Sequence, residues 1–204
     1  MIGIQSETFS SKKKEDIILK NKDSYSNIWS YLSPLGKIIL ASDGESLTGL
    51  WFEGQKYFPD FLDDSALADL SKSTSSTLIR VSEPLPIFRQ TKEWLDLYFS
   101  GTYPDFMPPL NPQGSDFRKM IWQELLEIPP GQLTTYGAIG NKLAAQGKAK
   151  KGSAQAIGGA LGHNPISIII PCHRVIGANG SLTGYAGGLE KKKYLLKLEG
   201  VSEA

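Results

Sequence analysis

A proline-rich segment divides the chain into two parts and limits what each part can fold into. Between Thr102 and Gly114 the sequence has prolines at positions 104, 108, 109 and 112. Because proline lacks a backbone N–H and fixes φ, neither a helix nor a central strand can run through this segment. We therefore expect an N-terminal domain over residues 25–112 and a second domain over residues 113–204.

The first part has a β pattern followed by one helix. Strands are predicted over residues 28–31, 37–41 and 47–52. Asp43-Gly44, between the second and third strands, is typical of a hairpin turn. Apolar residues at helical spacing from Ile87 to Tyr98 predict a helix that packs on this sheet and ends at Ser100-Gly101.

Two further segments of the first part have little periodicity. Residues 1–24 are polar and predict a tail, and the lysines at positions 12–14 are interpreted as a solvated charge run. Residues 59–83 are acidic and then rich in Ser and Thr, which predicts a loop that holds at most a short helix.

The second part is predicted to be mostly helical. Four helices are expected, over residues 116–128, 136–143, 154–161 and 189–198. Capping residues precede the first three: Ser115, Thr134 or Thr135, and Ser153. The second and third helices, joined by a Gly/Lys loop, form a helix-turn-helix pattern.

The helix at 154–161 is almost bare of large side chains. It contains Ala154, Ala156, Gly158, Gly159 and Ala160, and glycine inside a helix is unfavourable by roughly 1 kcal/mol relative to alanine. A bare helix allows close approach of a neighbour, which is another helix in an ordinary protein and a groove wall in a DNA reader. With few large side chains, such a reader would have little sequence preference.

The segment from Ile168 to Val175 contains the only cysteine of the chain. Three isoleucines predict a strand that stops near Ile170, before Pro171, and Cys172 and His173 follow where the chain turns. A thiolate nucleophile needs a nearby base or cation. Either the chain bends at Cys172, or a water relays the proton to His173. The alternative is that Cys172 is a small buried apolar residue.

Charge is distributed unevenly between the two parts. Residues 1–111 have 11 Lys and Arg against 15 Asp and Glu, a net charge of −4, whereas residues 112–204 have 11 against 6, a net charge of +5. The basic half carries the cysteine. This asymmetry is compatible with a nucleic-acid partner and equally with solvated faces that differ.

Composition also excludes several classes of protein. A single cysteine cannot form an internal disulfide, and one cysteine with two histidines does not favour a structural zinc site. We expect no metal. No apolar run reaches the length of a membrane span, and residues 1–24 do not have the pattern of a secretory signal. We therefore expect a cytoplasmic protein in a reducing compartment.

Pro171-Cys172-His173-Arg174-Val175 resembles the acceptor motif of the O6-alkylguanine-DNA alkyltransferases, which take an alkyl group from guanine onto a cysteine. The resemblance is strong over residues 115–200 and weak over 28–112. It implies an α+β protein with an N-terminal ribonuclease-H-like domain and a C-terminal, mostly helical, winged-helix-like domain with a helix-turn-helix.

Four catalytic roles follow from this resemblance. Cys172 matches the alkyl acceptor, His173 the water-linked base and Glu199 the acid that holds the imidazole. Asn164, followed by proline, matches the hinge that braces the helix-turn-helix against the active-site segment.

The resemblance also implies residues that contact substrate and DNA. Substrate-binding residues are expected at Tyr136, Tyr185, Ala186 and Gly187, and DNA-binding residues at Gln155, Tyr136, Ala154 and Gly158. Gln155 stands where the family often has an arginine that fills the gap left by a flipped base. Glutamine lacks the charge and the stacking plane of arginine, so we expect weaker DNA affinity.

The implied function is single-turnover repair of double-stranded DNA containing O6-alkylguanine, and possible activity on O4-alkylthymine stays open. A monomer without cofactors suffices for this chemistry. One alternative is a non-catalytic damage binder, but such proteins have Trp at the position of Cys172. A transcriptional regulator with a zinc sensor, or a cysteine hydrolase that turns over repeatedly, are the others.

Overall fold

The computed structural model describes residues 27–59, 79–80, 84–148 and 154–201. The predicted tail at 1–24 with its lysines, most of the predicted loop at 59–83 and the predicted cap Ser153 lie outside these residues.

The N-terminal half is built on a small sheet. Its strands are β1 (Asn27–Ser33), β2 (Gly36–Ser42), β3 (Leu47–Phe52) and β4 (Ile79–Arg80). Their order is β3-β2-β1-β4, with β1, β2 and β3 joined as antiparallel hairpins. The three strands and the hairpin turn predicted from the sequence are confirmed.

Strand β4 corrects the prediction that the whole of 59–83 is loop. Its two residues pair in parallel with β1, Asn27 with Ile79 and Ile28 with Arg80. A two-residue strand gives too short a pattern to be read from sequence, and the partner strand decides its conformation.

Helix α1 (Pro86–Phe99) packs on this sheet, as predicted. Pro lies in its first turn, and Phe88, Trp94 and Leu95 are buried on the face toward the sheet. The hydroxyl of Tyr31 in β1 donates a hydrogen bond to Asp96 Oδ1 at 2.9 Å, which fixes the helix against the strand.

The C-terminal half is mostly helical. Its elements are α2 (Asp116–Leu126), β5 (Thr134–Thr135), α3 (Tyr136–Ala145), α4 (Ala154–Gly162), a 3₁₀ helix (Cys172–Arg174), β6 (Val175–Ile176) and α5 (Leu189–Leu198). All four predicted helices are confirmed, although α2 ends before the predicted Ile128. The hydroxyl of Ser115 caps α2 and that of Thr135 caps α3 by accepting backbone N–H groups.

The strand predicted to end near Ile170 is wrong. Residues 167–170 form turns, and Ile168 has a φ of 71°, in the left-handed region. The isoleucines are fully buried because the segment lies inside the core, where an apolar run need not be a strand. The predicted bend at Cys172 is present as the 3₁₀ helix.

One cluster of buried side chains includes members of both halves. Backbone hydrogen bonds also cross between them: Leu50 N donates to Pro165 O, and Ser167 N donates to Leu50 O, each at 2.8 Å. These bonds attach the segment before Cys172 to β3. The fold is α+β, and the boundary at residue 112 stays a prediction. Among the described residues, no helix is long and apolar enough to cross a membrane.

Candidate active site

Cys172 opens the 3₁₀ helix and is buried, with 3% of its surface exposed. Burial raises the pKa of its thiol, while a hydrogen bond from Asn164 and the charge of Lys192 oppose that shift. The resting side chain is therefore a thiol at neutral pH, and a base must take its proton before it acts as a nucleophile.

Asn164 follows α4 and holds the cysteine segment in place. Its Nδ2 donates to Cys172 Sγ at 3.2 Å and to Ile170 O at 2.8 Å, and its Oδ1 accepts from Ile166 N at 3.0 Å. The side chain is 2% exposed. One buried amide thus connects the end of α4, the turn before the cysteine and the sulfur itself.

His173 and Glu199 form a buried pair. His173 Nε2 lies 2.8 Å from Glu199 Oε1, and both side chains are almost fully buried. Burial lowers the pKa of His173 even though Glu199 favours the charged ring, so the imidazole is neutral at neutral pH and able to accept a proton. Among the described residues, His173 Nδ1 is buried without a hydrogen-bond partner.

Arg174 completes the charge balance around Glu199. Its Nε donates to Oε2 at 2.9 Å and its NH2 to Oε1 at 2.8 Å, a bidentate pair. Burial alone would raise the pKa of Glu199, but hydrogen bonds from His173 and Arg174 hold it well below its ordinary value. Glu199 is therefore ionised and can stabilise a protonated His173.

The N-terminal half also reaches this carboxylate. Tyr98, on α1, donates its hydroxyl hydrogen to Glu199 Oε1 at 2.7 Å. Burial and then the charge of Glu199 raise the pKa of Tyr98 above its ordinary value. Sequence reasoning assigned Tyr98 only to the core, because a contact between residues so far apart in the chain leaves no local pattern.

Lys192 is a second residue that the sequence analysis did not single out. It is fully buried on α5, and its ammonium group donates to Val175 O at 2.6 Å and Thr183 O at 2.7 Å. Burial lowers the pKa of Lys192 to about 8, against the opposing influence of the Cys172 sulfur. The signal was its spacing, three and four residues before the buried Leu195 and Leu196.

A pocket of about 310 Å³ brings together several of the predicted contact residues. Those that line it are Tyr136, Ala154, Gly158, Tyr185 and Ala186. Two predicted residues lie elsewhere. Gly187 packs against Phe52 and the Tyr185 ring, where a Cβ would come within 2.9 Å of either. Gln155 is exposed on α4.

Tyr136 opens α3 and is half-buried at one side of the pocket. Its hydroxyl donates to Thr183 O at 3.3 Å, and a Cβ added at Gly184 would lie 3.0 Å from that hydroxyl. Burial raises the pKa of Tyr136, with the Thr183 bond opposing, so it stays a protonated donor.

The outer face of α4 is open. A Cβ added at Gly159 would meet no atom within 4 Å, and Ala154, Gln155 and Ala156 are exposed. Large charged groups can therefore approach this backbone closely. Among the described residues, no group of three or more His, Cys, Asp or Glu side chains could hold a metal ion.

Two family models match the chain. The model of the 6-O-methylguanine DNA methyltransferase DNA-binding domain matches residues 116–201, and the model of the ribonuclease-like domain of the same enzymes matches residues 29–112.

Sequence relatives share this description. The chain is 39% identical to a methylated-DNA–protein-cysteine methyltransferase of Haemophilus influenzae over 170 residues, 83% of each chain. It is 42% identical to a protein of the same name from Methanosarcina acetivorans over 168 residues, 82% of this chain and 94% of the relative.

A solved structure agrees with the sequence matches. The structure of Mycobacterium tuberculosis OGT in complex with DNA superposes with a TM-score of 0.68 at 36% identity, and the match covers 85% of this chain and 92% of that one. The fold and the sequence therefore point to the same set of proteins.

Proposed function

The chain belongs to the 6-O-methylguanine DNA methyltransferase family, and from this premise we propose that Cys172 accepts the alkyl group within a site built by His173, Glu199 and Asn164. The protein repairs DNA by direct, irreversible transfer of an alkyl group from O6-alkylguanine to a cysteine. The observation that carries the assignment of residues is the position of the single cysteine next to a buried His–Glu pair.

The proton of the Cys172 thiol leaves through His173. The neutral imidazole is held by Glu199 through Nε2, which leaves Nδ1 as the atom that accepts. A water between Nδ1 and the thiol carries the proton, in keeping with the water-linked base of the family. Glu199, kept ionised by Arg174, then stabilises the imidazolium.

The transfer is a displacement at carbon. The Cys172 sulfur forms a bond to the alkyl carbon, the bond from that carbon to guanine O6 breaks, and the electron pair leaves with the guanine. The Tyr136 hydroxyl, a protonated donor, stabilises the departing ring by a hydrogen bond. The thioether that results is not hydrolysed, so each molecule acts once and needs no cofactor.

The guanine must leave the duplex to reach a buried sulfur, since a stacked base cannot meet a protein side chain. The flipped base enters the pocket between Tyr136 and the loop of Tyr185 and Ala186. The bare face of α4, with Ala154 and Gly158, lies against the DNA groove, and Gln155 occupies the gap in the stack. Gly187 supports Tyr185 from behind the pocket.

The cellular setting follows from the chemistry. A thiol nucleophile persists in a reducing compartment, which supports the cytoplasm. One copy of the chain contains every residue of the proposed site, which fits a monomer.

Stoichiometry tests this function. Wild-type protein is mixed with excess duplex containing one O6-[³H-methyl]guanine, and protein-bound label is followed to completion. The proposal expects label to saturate at one methyl per molecule, and Cys172→Ser to gain none while it keeps duplex affinity. Continued turnover, or label on the Ser variant, contradicts it. Loss of binding in a folded Ser variant contradicts the placing of DNA contacts away from the thiol.

A further inference from the structure

We infer that Tyr57, contributed by the N-terminal half, forms the pocket wall that limits the size of the alkyl group the protein transfers. This inference rests on the proposed function of the pocket. Tyr57 and Lys56 line the same cavity as Tyr136 and Tyr185. No residue of the N-terminal half was expected at the substrate, either from its sequence or from the resemblance to known alkyltransferases.

The Tyr57 ring is fixed by a stack on His163. The ring centroids are 4.2 Å apart with an angle of 25° between the planes. A Cβ added at the neighbouring Gly162 would lie 3.2 Å from Tyr57 Cε2, so the small residue at the end of α4 allows this approach. The ring therefore has a set position beside the pocket.

The backbone of the same segment is tied to the pocket loop. Lys56 N donates to Ala186 O at 3.0 Å. The preceding residue, Gln55, is buried, and its Oε1 accepts from Phe52 N at 3.0 Å and from the Ser167 hydroxyl at 3.2 Å. Contacts on both sides of the pocket thus hold the turn that carries Tyr57.

Tyr57 also has an unusual backbone conformation. Its φ is 61°, in the left-handed region that residues with a Cβ rarely adopt. Such conformations persist where surrounding contacts impose them, and they cluster at functional sites. Here the stack on His163 and the bond from Lys56 are the contacts that impose it.

The ring acts as a wall and not as a platform for a DNA base. Its stack on His163 occupies one face, and the Lys56 ammonium lies 4.9 Å from the ring centroid. A ring engaged in this way presents its edge to the cavity. An edge sets a steric limit, whereas a free face would be needed to stack on an unpaired base.

The wall stands close to the reacting atoms on the α4 side. His163, which the ring covers, directly precedes Asn164, whose amide donates to Cys172 Sγ at 3.2 Å. A group carried between guanine O6 and the sulfur therefore has Tyr57 near its outer end.

The loop side gives the same position. Ala186, bonded to Lys56 N, directly follows Tyr185, whose ring meets the His173 ring edge-on at 6.3 Å between centroids. The two supports of the Tyr57 turn are thus each one residue from a residue beside the thiol or its base.

The test compares a small and a bulky substrate. Second-order rate constants are measured for Tyr57→Gly and wild type with duplexes that contain a single O6-methylguanine or a single O6-benzylguanine. Glycine accepts a φ of 61° without strain, so this variant removes the ring and keeps the backbone. We expect the benzyl-to-methyl ratio to rise by about tenfold or more, the size of effect that pocket shape produces.

Two variants provide controls. Tyr57→Phe keeps the ring and should leave the ratio within about twofold of wild type. Tyr57→Asn, another residue that tolerates this φ, should behave as Tyr57→Gly if the glycine variant is poorly folded.

Each outcome has one meaning. A ratio unchanged in the Gly and Asn variants overturns the inference. Equal loss with both substrates together with weaker duplex binding also overturns it and assigns Tyr57 to DNA contact. Absence of methyl transfer by the wild type would instead overturn the proposed function.

Discussion

Asn164 Nδ2 lies 3.2 Å from the sulfur of Cys172, and the same nitrogen donates to Ile170 O. The end of α4, which faces the DNA in our proposal, is thereby joined to the reacting atom by one side chain. A shift of α4 on DNA binding would be transmitted to the sulfur through this amide.

Removing this amide should destabilise the fold. In Asn164→Ala, Ile170 O and Ile166 N lose buried partners, and at about 1–2 kcal/mol for each group we expect the free energy of unfolding to fall by about 2–4 kcal/mol. Urea titration measures this. Asn111→Ala, at an exposed asparagine, is the control and should change stability by less than about 1 kcal/mol. Equal stability of the two variants would refute the bracing role.

Glu199→Gln should slow transfer and weaken the fold. The imidazolium of His173 loses its carboxylate, for which we expect a rate loss of about 100-fold. Arg174, 1% exposed, loses its counter-charge, which costs about 3–5 kcal/mol. Single-turnover kinetics and urea titration at pH 7 measure both effects. Glu53→Gln, at an exposed ion pair with Lys37, should cost less than about 1 kcal/mol.

The stability loss in Glu199→Gln should depend on pH in a defined direction. The pKa of Glu199 is lower in the folded protein than in the unfolded chain, so its ionised form stabilises the fold above the unfolded pKa of about 4.3. This contribution is lost as the pH falls through the folded pKa. The difference between wild type and variant should therefore shrink below about pH 4, and a constant difference down to pH 3 would contradict the assignment.

Lys192→Met should reduce the reactivity of the thiol. The charge of Lys192 lowers the pKa of Cys172, and its removal raises that pKa further. A rise of about one pKa unit leaves tenfold less thiolate, so we expect transfer to be about tenfold slower and the pH–rate profile to shift toward alkaline pH. Lys193→Met, at an exposed lysine, should leave the profile unchanged. Identical profiles for the two variants would exclude an electrostatic role for Lys192.

Gln155→Arg should strengthen duplex binding. The exposed side chain gains a charge and a stacking plane, so we expect a lower Kd and a steeper salt dependence by about one ion. Fluorescence anisotropy at matched salt measures this. Gln123→Arg, exposed on α2, controls for the added charge. Equal Kd values for Gln155→Arg and wild type would count against a DNA contact at this position.

Local patterns were sufficient to predict the elements that carry the site. The helix predicted at Leu189–Leu198 has those bounds in the structure, because its apolar spacing and the glycines on either side act over one or two turns. Cys172 and His173 were found from a short motif for the same reason. Ile168–Ile170 was predicted wrongly, since burial selects isoleucine in turns of the core as well as in strands.

Contacts between distant parts of the chain were not predictable. The bond from Tyr98 to Glu199 spans 101 positions, and the stack of Tyr57 on His163 joins the two halves. Neither ring follows a local rule that distinguishes it from other aromatic side chains. Lys192 looked like part of a charged run, and only its place on the buried face of α5 sets it apart.

The most direct test of the central claim is the intact mass of the protein after reaction with excess duplex containing O6-methylguanine. The account predicts a gain of about 14 Da, one CH₂ from thiol methylation, mapped to the peptide that contains Cys172. An unchanged mass in protein that binds the duplex would contradict it and would indicate a damage binder that does not transfer the alkyl group.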